Sequence, residues 1–97
     1  MNKNIISDFI KMKGIQTETK IKSWSAVDID FMNDNKVTEE ASFDVKNVKS
    51  PKAWAELDES FVDLCRASGI KNPVITSVTV THSAKTQEEL ESISPVS

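Results

Sequence analysis

Apolar residues fall on alternate positions through the first third of the chain: Ile15, Ile21, Val27, Ile29 and Phe31 share one parity. Glu18, Lys20, Lys22, Trp24, Asp28, Asp30 and Met32 share the other. A period of two predicts a strand with one face on a core and the other in water. It lies within residues 16–33, long enough for a bulge near Ser23 to Ser25. Asn33-Asp34-Asn35 is turn chemistry, and a second strand follows from about Lys36 to Val48. Val37, Ala41, Phe43 and Val45 must share a face with Ile29 and Phe31, so odd positions pair with odd ones. That parity excludes a two-residue turn and calls for three residues, with Asn35 left-handed beside a bulge. The implied pairs are 31 with 37, 29 with 39 and 27 with 41. Glu39 then falls on the inner face, at a strand end that projects beyond the core.

Two helices flank this hairpin in sequence. Ile5, Ile6, Phe9 and Ile10 recur at helical spacing before Gly14, with Asn4 placed to cap and Lys11 and Lys13 in the last turn. The second helix starts at Ser50-Pro51 and ends at Gly69. Trp54, Leu57, Phe61, Leu64 and Cys65 form its apolar stripe, edged by Ala53 and Ser68, and Ile70 supplies the apolar contact of a helix C-cap. After Lys71-Asn72-Pro73, Val74 to His82 reads as a third strand, with Val74, Val78 and Val80 on one side and Ser77, Thr79 and Thr81 on the other. A short helix can begin after Thr86. Residues 84–97 form a polar tail, frayed at Ser94 to Ser97.

The expected fold is α+β, in the order helix, strand, strand, helix, strand. The second helix is a crossover between parallel strands. Placing the third strand beside the first gives a three-stranded, mainly antiparallel sheet of order 2-1-3, with a helix packed on one face. The 97 residues make one domain.

Composition narrows the function. No run approaches the ~20 apolar residues of a membrane span. The N-terminus lacks an apolar leader because Asp8, Lys11 and Lys13 interrupt it. One cysteine, Cys65, makes no internal disulfide. A cytoplasmic protein is the expectation. The net charge of −3 is unevenly spread. Residues 1–22 carry five lysines against two acids, residues 23–50 carry three lysines against six acids, and residues 51–97 are acidic again.

Candidate chemistry is sparse. His82 and Ser83 are adjacent on a strand and point apart, and no G-x-S-x-G elbow occurs. Cys65 sits on a helix's apolar stripe near its C-terminal end, where the dipole disfavours a thiolate. Two glycines cannot build a phosphate loop. The acids of the hairpin lack the spacing and the glycine of a calcium loop. No enzyme activity, cofactor or metal is therefore expected.

What remains is a surface. Trp24, Asp28, Asp30, Met32, Glu40 and Asp44 share the outer face of the hairpin, with Asp28 expected opposite Glu40. An aromatic anchor, an adaptable thioether and clustered carboxylates suit a protein partner with a basic surface. In size, charge pattern and lack of catalytic motifs the chain resembles, in kind, the small inhibitors carried by phages and mobile elements. These include ones that block CRISPR effectors or other defence complexes. The resemblance implies an acidic face that competes for a basic nucleic-acid channel. The alternative is a nucleic-acid-binding accessory protein using the lysine-rich N-terminal end. It is the less favoured, because one exposed aromatic among acids is a poor base-stacking platform. A homodimer joined through an edge strand is a third reading.

Overall fold

The computed structural model describes residues 1–93 and has the element order α1 (Ile5–Lys13), β1 (Gln16–Thr17), β2 (Trp24–Met32), β3 (Thr38–Lys46), α2 (Pro51–Ser68), β4 (Val74–Ala84) and α3 (Gln87–Ile93). The class is α+β. Among the described residues the sheet has four strands rather than three, in the order β1-β4-β2-β3, and it is mixed. The three long strands keep the expected neighbours, antiparallel on both sides of β2. The addition is β1, which pairs parallel with β4 (Gln16 with Thr79, Thr17 with Val80). The expected single strand over 16–33 is thus two strands on opposite sides of β4. Its middle, Glu18 to Ser23, holds one apolar residue, Ile21, among charged and polar ones. That is too little burial to hold a strand, so the chain crosses the end of β4 there instead.

The inner face of the sheet carries the core. Val27, Ile29, Phe31, Ala41, Val45, Val78 and Val80 pack with Ile6 and Ile10 of α1 and with Ala53, Leu57, Phe61 and Cys65 of α2. Phe31 meets Phe61 edge to face, with ring centroids 5.0 Å apart. Ile15, Ile21 and Ile70 pack at the margin.

The limits of α2 follow from its terminal residues. Ser50 Oγ accepts from the Ala53 N–H at 3.2 Å, and Pro51 opens the helix. Gly69 takes the left-handed conformation (φ 73°), which lets the Ile70 N–H reach the Cys65 carbonyl at 2.8 Å. Two expectations for the helices are corrected. Leu64 is 37% exposed, while Asp58 and Val62 are buried, because α1 lies along that flank and turns the buried arc towards itself. Asn4 makes no side-chain cap to α1. Asp58 does so from α2: its carboxylate accepts from the Ile6 N–H (2.6 Å), the Ser7 N–H (3.0 Å) and the Ser7 hydroxyl.

The hairpin turn has the expected three residues, one place later in the chain. Asn33 pairs with Val37, its N–H donating to the Val37 carbonyl at 2.9 Å, and the left-handed residue is Lys36 (φ 61°), not Asn35. Asn33 accounts for the shift. Its Oδ1 accepts from the N–H groups of Asn35 (2.9 Å) and Val37 (3.1 Å), so it holds the loop as an Asx turn. Every expected pair moves by two: Phe31 faces Glu39, Ile29 faces Ala41 and Val27 faces Phe43. Glu39 lies at the exposed end of the inner face, where the Asn33 amide donates to it.

Strand β4 holds two further departures. Thr76 and Thr81 are extra residues opposite β2, and each bulge shifts the register by one. Val74 therefore leaves the side of Val78 and Val80 and is 53% exposed on the outer face. Both bulged threonines return a hydroxyl to β2, Thr76 to the Asp30 carbonyl (3.0 Å) and Thr81 to the Ala26 carbonyl (3.4 Å). The tail expected after residue 84 begins with α3, whose Leu90 is fully buried. The frayed segment expected at Ser94 to Ser97 lies outside the described residues. Among the described residues, no helix is long and apolar enough to cross a membrane.

Candidate functional site

The paired strands set out the outer face in rows, read in the order β4, β2, β3. The first row is Val74, Met32, Thr38 and the second is Ser77, Asp30, Glu40. The third is Thr79, Asp28, Ser42 and the fourth is His82, Ala26, Asp44. The last row is Ala84, Trp24, Lys46. All six singled-out residues are on this face, yet it is not one open surface. Ala26 and Ala84 are buried beneath Leu90 of α3, with Trp24 half-buried against them. Trp24 thus helps to seat α3 at one end of the sheet. The other end stays open, and there Asp28, Asp30, Glu40 and Met32 come together.

The direct carboxylate pair is Asp30 with Glu40, not Asp28 with Glu40. The register shift of two positions is the reason. Asp28 instead faces Ser42, whose hydroxyl donates to it at 2.5 Å. Asp30 accepts from the Ser77 hydroxyl at 2.9 Å. Asp28 and Asp30 are therefore each held by a serine of a neighbouring strand, which fixes the direction of the carboxylate. Glu40 is exposed, and the charge of Asp28, then that of Asp30, raises its carboxyl above the usual range. Asp44 is exposed one row beyond Ser42, beside the α3 end.

The structure joins two further acids to the fold that the alternation did not mark. Asp34, at the hairpin tip, accepts from the backbone N–H groups of Lys71 (2.9 Å) and Asn72 (2.6 Å). Those two bonds hold its carboxyl below the usual range. Asp58 is the buried cap of α1. Both serve long-range backbone hydrogen bonds, and no local spacing announces such partners.

Other chemistry lies apart from this face. His82 is half-buried, while its neighbour Ser83 faces the opposite side and bonds the buried Ser25 hydroxyl at 2.8 Å. Cys65 is fully buried, and burial pushes its thiol above the usual range. Among the described residues, no group of three or more His, Cys, Asp or Glu side chains could hold a metal ion. A groove of about 320 Å³ runs between Lys3 and Asn4 at the start of α1 and Asp58, Val62 and Arg66 of α2. The one buried acid within it, Asp58, is already hydrogen-bonded to α1. Comparison with protein-family models, with curated proteins and with solved structures finds no match for this chain.

Proposed function

We propose that this protein works without catalysis, by binding a protein with a basic surface through the open end of its outer sheet face. The observation that supports this most is the row Ser77, Asp30, Glu40 beside the row Thr79, Asp28, Ser42. Three carboxylates stand within two rows, two of them held in place by serine hydroxyls, and their mutual repulsion raises the Glu40 carboxyl. Directly opposed like charges destabilise a sheet. The serine hydrogen bonds hold Asp28 and Asp30, but setting Glu40 opposite Asp30 costs the fold, whereas lysine or arginine from a partner would convert that repulsion into attraction. Met32 and the exposed Val74 border the acids and offer apolar contact at the same end.

The role this suits is that of a cytoplasmic inhibitor of the phage or mobile-element kind. It would occupy a basic channel otherwise used by nucleic acid, such as that of a defence complex. The test is the doubly reversed variant Glu40→Lys with Asp44→Lys, two exposed residues whose replacement should leave the fold intact. Immobilised wild-type protein should retain a basic protein from host cytosol at about 0.1 M salt. The variant should lose that protein while its melting temperature stays within a few degrees. Equal retention by both would overturn the reading. So would tight, lysine-dependent shifting of labelled DNA or RNA, which would place function at the N-terminal lysines instead.

A further inference from the structure

Strand β3 ends the sheet, and among the described residues its outer edge has no neighbouring strand. The hydrogen-bond alternation shows what that edge presents. Asn33 bonds Val37 and Asn47 bonds Ser23, both as cross-strand backbone pairs between β2 and β3 and their extensions. Narrow pairs recur every second residue of an antiparallel ladder, so the odd residues of β3 direct their N–H and C=O groups at β2. The even residues Thr38, Glu40, Ser42, Asp44 and Lys46 direct theirs at the open edge. These are also the residues whose side chains lie on the acidic outer face. Backbone edge and charged face therefore coincide on the same five residues.

We infer that β3 is a site for strand addition, and that its occupant is an extended segment of alternating cationic and apolar residues. This rests on the acidic-face reading and specifies how the partner engages it. An added strand bonds the backbone of Glu40, Ser42 and Asp44 and sets its own outer side chains beside theirs. Lysine or arginine is required opposite Glu40 and again opposite Asp44, with a small polar residue opposite Ser42 between them. The intervening residues face inwards, next to Ala41 and the half-buried Phe43, and should be apolar. The recognised pattern is cation, apolar, small polar, apolar, cation.

The same charges argue against a second copy of this chain as the occupant. Self-pairing centred on Ser42 opposes Glu40 to Asp44 twice. Every register joins two faces that each carry Asp28, Asp30, Glu40 and Asp44. Charged edge residues are a common guard against strand pairing. Here they guard against acidic or apolar strands and leave basic ones admissible.

The test uses the intact protein, ¹⁵N-labelled, and three peptides. The first is capped Lys-Val-Ser-Val-Lys flanked by threonines. The second has the same composition with the core scrambled to Lys-Lys-Ser-Val-Val. The third is the first peptide N-methylated at the serine and the second lysine, two of the three nitrogens that would donate to β3 in an antiparallel pairing. The first should shift the amide signals of residues 38–46 and slow hydrogen exchange at Glu40, Ser42 and Asp44, but not at the odd residues already bonded to β2. The scrambled and N-methylated peptides should bind about tenfold or more weakly, since two backbone hydrogen bonds and the facing of the lysines are lost. Equal binding by all three would overturn strand addition while leaving a charge-driven acidic face standing. No binding of any peptide at millimolar concentration would overturn the inference too. The retention experiment with the doubly reversed variant would then decide the acidic face separately. A concentration-dependent dimer at low salt would assign the edge to a second copy and overturn the inference as well.

Discussion

Asp58 is a buried carboxylate that serves a helix whose capped residues, Ile6 and Ser7, lie 52 and 51 positions away in sequence. At 3% exposure it accepts from the N–H groups of Ile6 and Ser7, two of the orphan donors in the first turn of α1, and from the Ser7 hydroxyl. Nine residues are too few for a helix to persist without such support. Asp58→Ala leaves those donors buried without a partner, and the expected loss is about 2–3 kcal/mol by urea unfolding. Asp58→Asn, which keeps one acceptor, should lose less. Asn4→Ala should change stability by no more than about 0.5 kcal/mol, because Asn4 contributes no cap. Asn4 is the residue that local spacing favours, since capping rules read a few neighbouring positions. Nothing in those rules reaches the partner in α2, and Asp58 itself looks like any solvated helix acid.

At the scale of elements, Leu90 is the residue that α3 buries among those described. The seven-residue helix buries it completely against Ala26 and Ala84, with Trp24 alongside. Leu90→Ala should remove about 2–4 kcal/mol of packing, more than so short a helix can lose and remain docked. In a Trp54→Phe background the expected outcome is a red-shifted Trp24 emission well below the global unfolding midpoint. An unshifted emission would mean that other contacts hold α3. The sequence signals that proved sound at this scale are those with a local cause. Ser50-Pro51 and Gly69 bound α2, and the parity of the hairpin fixed a three-residue turn. The position of that turn was not legible, because two asparagines and an aspartate compete for it and the Asn33 side chain decides through its bonds to Asn35 and Val37. One step along the chain moved every cross-strand pair by two. The outer face kept its residues, while the opposed acids became Asp30 and Glu40. The bulges at Thr76 and Thr81 were hidden for a related reason: a run of alternating valines and threonines reads as unbroken until β2 imposes its register.

For the whole molecule, the two perturbed surface carboxyls act on stability in opposite directions, and pH separates them. Backbone hydrogen bonds lower the Asp34 carboxyl, so its contribution is fully present above the usual aspartate value, about 3.9. It is lost as pH falls through the lower folded-state value. Neighbouring acids raise the Glu40 carboxyl, so its penalty is fully present above that raised value. The penalty is relieved as pH falls towards the usual glutamate value, about 4.3. Asp34→Asn should therefore be less stable than wild type at pH 7, with the gap closing only in strong acid. Glu40→Gln should be the more stable protein at pH 7, melting about 1–2 °C higher, with the gap closing by about pH 4. Melting curves of the three proteins from pH 7 to pH 3 read both effects. Salt adds a second coordinate. The Glu40 repulsion acts through water on an exposed face, and a Debye length of about 3 Å at 1 M salt is shorter than the spacing between neighbouring strands. The advantage of Glu40→Gln should therefore shrink by more than half between about 0.01 M and 1 M salt. The Asp34 tether consists of direct hydrogen bonds and should keep most of its effect. A Glu40→Gln gain that ignored salt would mean that the substitution acts through packing, and the acidic face would then carry no electrostatic strain for a basic partner to relieve.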